Sequence, residues 1–307
     1  MTQKDQADLV LSRKAVFVRC CLNLERRQIG LIKAIFFDLD GTLLDSKKKI
    51  LASSVRYLKL CSDKGIKLYI STARLPKCRN TLKWGEEVKS LFDGGVFCNG
   101  AVIEWNNEYK YKFIPENTVR GILKSLKEYP DIYISVQMKD NVHAFNKDLP
   151  EEEKSLWGLE EDKIFSTENC SLVEVIKLLI FDGGYYHGLN KLSDKVIHTI
   201  SKQCGKDAAF YLTDEGTVIQ VNAVSASKYN GIETIRKALG LRNCECAVFG
   251  DDYNDAEMLS NYTNSYAMGN APTEIKNIAS FVTDDNDNNG IANALIKILG
   301  DTETNEE

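Results

Sequence analysis

An apolar run that ends in two carboxylates, Ile35-Phe36-Phe37-Asp38-Leu39-Asp40-Gly41-Thr42, is the feature that most constrains how this chain can fold. Lys33 to Phe37 is short, continuous and rich in branched and aromatic residues, so it reads as a strand buried on both faces. Asp38 and Asp40 then fall just past its carboxyl end, where open α/β sheets place their ligands. Gly41 permits a sharp turn there and brings backbone N–H groups close to a bound anion. One carboxylate could be a nucleophile and the other an acid/base, with a cation holding the pair together. The alternative is a turn in which an Asp caps the segment that follows.

The segments after this loop repeat its logic. Residues 47–64 have helical apolar spacing at Ile50, Val55, Leu58 and Leu60, ending at Gly65. Ile66 to Ile70 reads as a second strand, closed by Ser71-Thr72-Ala73-Arg74, and Leu75 to Trp84 as a helix with Pro76 in its first turn. Val96 to Cys98 is a third short strand, followed by Asn99-Gly100-Ala101. This β-α-β-α-β alternation predicts a parallel sheet with right-handed crossovers.

The pattern changes after Ala101. Val102–Trp105 and Tyr109–Ile114 flank Asn106-Asn107-Glu108 as a hairpin. A helix at 116–129, strands near 131–137 and 142–146, a short helix opened by Glu151-Glu152-Glu153, a segment Glu174–Phe181, a helix at 191–204 and strands near 208–213 and 217–222 follow. This mixture reads as an α+β module inserted into the parallel unit. The parallel pattern resumes with a helix over Ala226–Leu239, a strand over Ala247–Phe249, a helix starting at Asn254–Leu259, and short βα units to Ile298.

At 307 residues, two domains are the better expectation. The segments above divide the chain into an extension at 1–30, a discontinuous core at 31–101 and 223–300, an inserted module at 102–222, and an acidic tail at 301–307 expected to be disordered. A 43% hydrophobic and 27% charged composition suits an ordinary globular protein, and a net charge of -5 argues against a nucleic-acid surface. No stretch is long and apolar enough to span a membrane. The nine cysteines contain no C-x-x-C, and Cys244-x-Cys246 lacks a second ligand pair nearby, so zinc is not expected. Scattered and odd in number, they fit reduced thiols in the cytoplasm, with Cys98 and Cys246 as core filler.

Four short segments could carry chemistry together: Asp38/Asp40, Thr72, Lys228, and Gly250-Asp251-Asp252-Tyr253-Asn254-Asp255. Each also has a plain structural reading. Thr72 could cap a helix, Lys228 could be one more solvated lysine, and the acidic loop could be a turn. Asp251 and Asp255 lie four apart, so at a helix start their like charges would repel on one side. A cation would relieve that repulsion, and hard oxygen ligands without His or Cys favour Mg²⁺ over zinc.

The ordered set Asp38-Leu39-Asp40-Gly41-Thr42-Leu43-Leu44, Ser71-Thr72-Ala73-Arg74, Asn99-Gly100-Ala101, Ser227-Lys228 and Gly250–Asp255 resembles the haloacid dehalogenase superfamily, in particular its Cof-type (subfamily IIB) phosphatases. The resemblance covers residues 31–300; Ala73 departs from the usual Gly, and residues 1–30 have no counterpart. It implies an α/β fold with a doubly wound parallel-sheet core and an inserted α+β cap that closes over the site. It further implies a Mg²⁺-dependent phosphatase acting through an aspartyl-phosphate on a small phosphorylated metabolite, such as a sugar phosphate or a phosphorylated cofactor. Asp38 would be the nucleophile and Asp40 the acid/base. Mg²⁺ would be held by Asp38, the Asp40 carbonyl and Asp251, with Asp255 completing the metal site close by, where it would orient ligands or water. Thr72, Lys228 and the backbone near Leu39 and Gly41 would bind the phosphoryl group, and Asn254 would contact phosphate or order the loop. Arg74 would contact substrate or form a structural salt bridge. A phosphomutase using the same intermediate and a non-catalytic phosphosugar-binding protein are the alternatives. Asn141, His143 and Asp182 are candidate substrate-facing groups in the inserted module; oligomeric state and nucleic-acid or membrane partners have no signal here.

Overall fold

All four side chains of Ala34–Phe37 are fully buried, as a continuous apolar run implies for a strand covered on both faces. The structure, a computed structural model, describes residues 32–184 and 188–300. The expectations for the extension at 1–30 and the tail at 301–307 lie outside the described residues.

After β1 (Ala34–Phe37), the chain forms α1 (Ala52–Asp63), β2 (Lys67–Ser71), the one-turn helices α2 (Cys78–Thr81) and α3 (Glu86–Lys89), β3 (Gly94–Phe97), β4 (Val102–Trp105) and β5 (Glu108–Tyr111). It then forms α4 (Glu116–Leu126), β6 (Ile132–Met138), β7 (His143–Phe145), α5 (Glu151–Leu156), β8 (Ile164–Ser166), β9 (Val175–Gly184), β10 (Gly188–Asn190), α6 (Asp194–Cys204), β11 (Ala208–Thr213) and β12 (Val218–Ala223). The last stretch is α7 (Lys228–Ala238), β13 (Cys246–Gly250), α8 (Ala256–Asn261), β14 (Asn264–Ala267), α9 (Thr273–Ile278), β15 (Phe281–Val282) and α10 (Gly290–Leu299).

Two compact units result, one from the chain up to Tyr109 together with Lys228 onward, the other from Lys110–Ser227. In the first, the sheet order is β15-β14-β13-β1-β2-β3-β4-β5. The six strands from β15 to β3 run parallel, and β4 pairs antiparallel with β3. From β1 the chain moves outward through β2 and β3, then returns to β13 on the other side and moves outward through β14 and β15. The direction of travel therefore switches between β1 and β13, which opens a crevice at their carboxyl ends.

Aromatic side chains knit this sheet. Phe37, Phe249, Tyr266 and Phe281 stack in sequence across β1, β13, β14 and β15 at centroid spacings of 5.0, 4.7 and 5.0 Å. Period-two alternation puts Phe36 on the opposite face, stacked on Tyr69 at 5.0 Å and packed with Ile232 and Ile235 of α7 and Met258 and Leu259 of α8. Helices α1 and α10 pack against each other and bury Leu58, Cys61, Ile291 and Leu295.

In the second unit the sheet runs β11-β12-β9-β6-β7-β8, with β10 on the end of β9, and only the β7–β8 pair is parallel. Helices α4 and α6 cover one face, burying Val119, Ile122, Val196 and Ile200 against Ile134, Val136, Leu178, Ile180, Ile219 and Val221. The acidic opening of α5 is where the sequence places it.

Several local expectations are corrected. The helix expected from 47 begins at Ala52, because the Asp45 carboxylate accepts from the Lys47 and Lys49 backbone N–H groups at 2.9 and 2.7 Å and holds a turn instead. The helix expected over 75–84 is a single turn, 78–81; Lys83 takes φ 54° and Trp84 leaves the helix axis to stack on Phe92. Cys98 lies just beyond β3, in a turn at φ 50°, although it is buried as expected. The hairpin at 102–111, read as part of the inserted module, extends the first sheet, its turn carried by Asn106 and Asn107 at φ 54° and 59°. The junctions accordingly fall at 109/110 and 227/228, against the 102 and 223 of the sequence reading.

Gly231 on α7 shows how closely helix and sheet approach: a Cβ there would overlap the Val96 side chain on β3. Gly231→Ala is expected to lower unfolding free energy by about 1–3 kcal/mol, measurable by urea titration. An unchanged midpoint would mean that the helix has room to retreat.

Candidate active site

Because β13, β1 and β2 are neighbours and parallel, the residues that follow them emerge side by side. The Asp38 backbone N–H continues the ladder by one bond, to Phe249 O at 3.0 Å, so the carboxylate is aimed by the sheet itself. Its loop turns at once: Leu43 N donates to Asp38 O and Leu44 N to Leu39 O. Gly41 sits at φ 80°, and a Cβ there would overlap the Asp251 carboxylate, so both backbone and space demand glycine. The Leu39 side chain is fully buried, which leaves only its main chain to face a ligand.

Across the crevice, residues 253–255 form one 3₁₀ turn before α8 starts at Ala256, so Asp251 and Asp255 do not share a helical face as the sequence spacing suggested. Instead Asp255 folds under its own loop: its Oδ2 accepts from the Asp251 and Asp252 N–H groups at 3.0 and 3.2 Å. Its Oδ1 accepts from Lys228 Nζ at 2.6 Å. The same ammonium donates to Asp38 Oδ1 at 2.6 Å. Lys228, the first residue of α7, is fully buried, as is Asp255, and Asp38 is only 5% exposed. Lys228 is thus the hub between β1 and β13 rather than a solvated lysine.

Ligating oxygens of Asp38, Asp251 and Asp255 lie within 4.8 Å of one another. Burial, together with repulsion from Asp255 and Asp251, pushes the Asp38 carboxyl well above the ordinary range despite the neighbouring ammonium. Burial and Asp255 push Asp251 up to about 7. Burial works against the charged form of Lys228, but Asp255 and Asp38 outweigh it and raise its pKa. Asp38 and Asp255 thus share one ammonium with Asp251 close beside them, a deficit of positive charge at a cluster of hard oxygens. That donor set fits a hard divalent cation such as Mg²⁺, which Asp38 and Asp251 could hold; Asp255 already spends its oxygens on protein donors.

Asp40 is engaged differently. Both its oxygens accept from the Arg74 guanidinium, Nε to Oδ2 at 2.6 Å and Nη2 to Oδ1 at 2.7 Å, and Lys48 Nζ adds a third contact to Oδ1 at 2.8 Å. Burial opposes its charge, yet Arg74 and Lys48 hold its carboxyl down at about 2. Arg74 therefore meets Asp40, one of the two roles left open for it. Thr72 is fully buried at the end of β2, and its Oγ1 accepts from Arg74 N at 3.2 Å. Asn254 Nδ2 donates to Asn99 Oδ1 at 3.2 Å, tying the acidic loop to the turn after β3; Asn99 takes φ 52°.

Two residues had no assigned role in the sequence reading. Thr42 Oγ1 donates to Asp251 Oδ1 at 2.7 Å, and Asn270 Nδ2 donates to Gly41 O at 2.9 Å and Asp251 Oδ2 at 3.3 Å. Together they orient the Asp251 carboxylate against the loop that carries Asp38. Thr42 lies inside the D-x-D-G-T run, where a signal existed. Asn270 follows β14, and no local pattern marks it.

The candidate groups in the inserted unit do not form one surface. Asp182 continues the row of Leu178 and Ile180, which face the helices, whereas His143 alternates with the helix-facing Ala144 and points to the other side. Asn141, at φ 61°, places its Oδ1 3.5 Å from His143 Nε2.

The model of the haloacid dehalogenase-like hydrolases matches residues 35–295. A Bacillus subtilis (strain 168) protein named as a candidate phosphatase, YkrA, is 27% identical, the match covering 87% of this chain and 98% of that one. A second B. subtilis relative, a 5-amino-6-(5-phospho-D-ribitylamino)uracil phosphatase, is 25% identical over 89% of this chain and 98% of its own length. Among solved structures, a sugar phosphatase of haloacid dehalogenase subclass IIB superposes with a TM-score of 0.71 at 25% identity, covering 87% of this chain and 99% of that one.

Removing the hub should expose the charge balance. Lys228→Met is expected to cost about 3–5 kcal/mol of stability at neutral pH, the scale of leaving buried charges unpaired. Chemical denaturation measures it, and a loss below 1 kcal/mol would show that the ammonium is dispensable to the fold.

Proposed function

Since the chain belongs to the haloacid dehalogenase-like hydrolases, we propose that it is a divalent-cation-dependent phosphatase of small phosphate monoesters, acting through a phosphorylated Asp38. The observation that carries this reading is the convergence of Asp38, Asp251, Asp255 and Lys228 at the switch point of the sheet. Relatives named as phosphatases over nearly their whole length support it.

In this mechanism the Asp38 carboxylate attacks phosphorus in line, and the bond from phosphorus to the ester oxygen breaks as the acyl phosphate forms. Asp40 is ionised in the free site, so its acid role requires the ester's negative charge to raise its carboxyl and let it take up a proton. It would pass that proton to the departing alkoxide, then take one from the water that hydrolyses the acyl phosphate, which restores Asp38 and releases inorganic phosphate. Thr72 and Lys228 donate to the non-bridging oxygens; the Thr72 hydroxyl accepts from Arg74 N and keeps its own proton for donation. Main-chain N–H groups of the Leu39–Gly41 turn add to this cradle, and Asn254 holds the acidic loop in register through Asn99. Asp38, the Asp40 carbonyl and Asp251 would hold Mg²⁺, which supplies positive charge against the meeting of an anionic nucleophile and an anionic ester.

The substrates this reading favours are sugar phosphates or phosphorylated cofactors, consistent with what its relatives' names record. All seven described cysteines are thiols, and no helix among the described residues is long and apolar enough to cross a membrane. The thiols suit a cytoplasmic setting.

Phosphate release from p-nitrophenyl phosphate and a panel of sugar phosphates tests the reading. Asp38→Asn is expected to reduce kcat by on the order of 10⁴-fold or more while leaving the circular dichroism spectrum intact. Substantial turnover in that variant would refute the nucleophile assignment, and isomerised ester without released phosphate would make the enzyme a mutase. Chelation with EDTA should abolish turnover and added Mg²⁺ restore it; activity indifferent to both would remove the cation from the mechanism.

A further inference from the structure

The Asp40 carboxylate takes three hydrogen bonds from two cations, and Arg74 supplies two of them as a fork that fixes the plane of the carboxylate. Lys48 is the more exposed of the two; its side chain is 55% exposed against 33% for Arg74. Arg74 is also anchored along its backbone. Its N–H donates to Thr72 Oγ1 and its carbonyl accepts from Cys98 N at 2.9 Å, so the guanidinium projects from the same loop that presents Thr72.

From this geometry we propose that Arg74 is a positioning residue for proton transfer: it sets where the Asp40 carboxyl stands relative to the ester oxygen, rather than binding the substrate itself. The inference rests on the phosphatase reading. Two bonds to one planar group fix both its position and its rotation, whereas the single Lys48 contact fixes neither. A carboxyl left to swivel would still lie near the leaving oxygen but would seldom point a lone pair or a proton along the transfer line. The cost of losing Arg74 therefore falls on the steps in which Asp40 moves a proton, and most of all where the leaving group cannot depart as a stable anion.

An aryl ester such as p-nitrophenyl phosphate releases a stabilised phenolate and needs little protonation, while an alkyl ester such as glycerol 3-phosphate releases an alkoxide that does. Arg74→Met is expected to lower kcat on glycerol 3-phosphate about tenfold more than on p-nitrophenyl phosphate, with KM for either changing less than kcat. In an Asp40→Asn background the same substitution should add no further loss on the alkyl ester, since the group it positions is gone. Arg74→Gln, which keeps a neutral donor near the Nε position but loses the fork, provides the second variant should Arg74→Met melt at a lower temperature. Equal losses on both esters, a change confined to KM, or a full loss retained in the Asp40→Asn background would each overturn the proposal. A wild-type protein that releases phosphate from neither ester would instead overturn the phosphatase reading.

Discussion

The structure turns on one buried ammonium. Lys228 stands at the first position of α7, where the helix dipole disfavours a cation, and it has no water to solvate it. It is stable there because Asp38 and Asp255 each place an oxygen 2.6 Å away. Neither carboxylate would tolerate its own burial without that partner, and a third, Asp251, adds to the negative charge. Loop after β1, loop after β13 and start of α7 are therefore held together by a charge balance that none satisfies alone. It is an incomplete balance, and the shortfall of positive charge leaves a cluster of hard oxygens of the kind that suits a divalent cation.

That balance is possible only because the sheet delivers the groups to one edge. Parallel pairing of β13, β1 and β2 aligns their carboxyl ends, and the reversal of strand order between β1 and β13 leaves the opening where Asp38 and Asp251 meet. The aromatic row from Phe37 to Phe281 and the packed face around Phe36 and Tyr69 give the strands little freedom to shift. Small groups then refine the arrangement. Gly41 lets the first loop touch the Asp251 carboxylate, and Thr42 and Asn270 hold that carboxylate from two sides.

The inserted unit is built on a separate principle. Its mostly antiparallel sheet has one face covered by α4 and α6, and the apolar cluster between them is self-contained. Strand alternation assigns Asp182 to the covered side and His143 to the opposite one, a distinction of parity that a list of polar residues does not contain.

Much of this was written in local pattern. The run ending at Asp38 read as a buried strand, the strand–helix alternation predicted a parallel sheet with an insertion, and the residue types at 38, 40, 72, 228, 251 and 255 nominated candidates for the crevice. Local pattern failed where a side chain overrode it, as Asp45 does before α1 and Trp84 does after α2, or where a hairpin could join either of two sheets. What tertiary structure alone decided are pairings between residues remote in sequence: Lys228 with both Asp38 and Asp255, Arg74 with Asp40, and Asn270 with the Gly41 carbonyl. Periodicity reports which face of its own element a residue occupies, so it can nominate a charged group for the crevice. Which opposite charge that group meets depends on strand order and register, and these are settled only when distant segments pack.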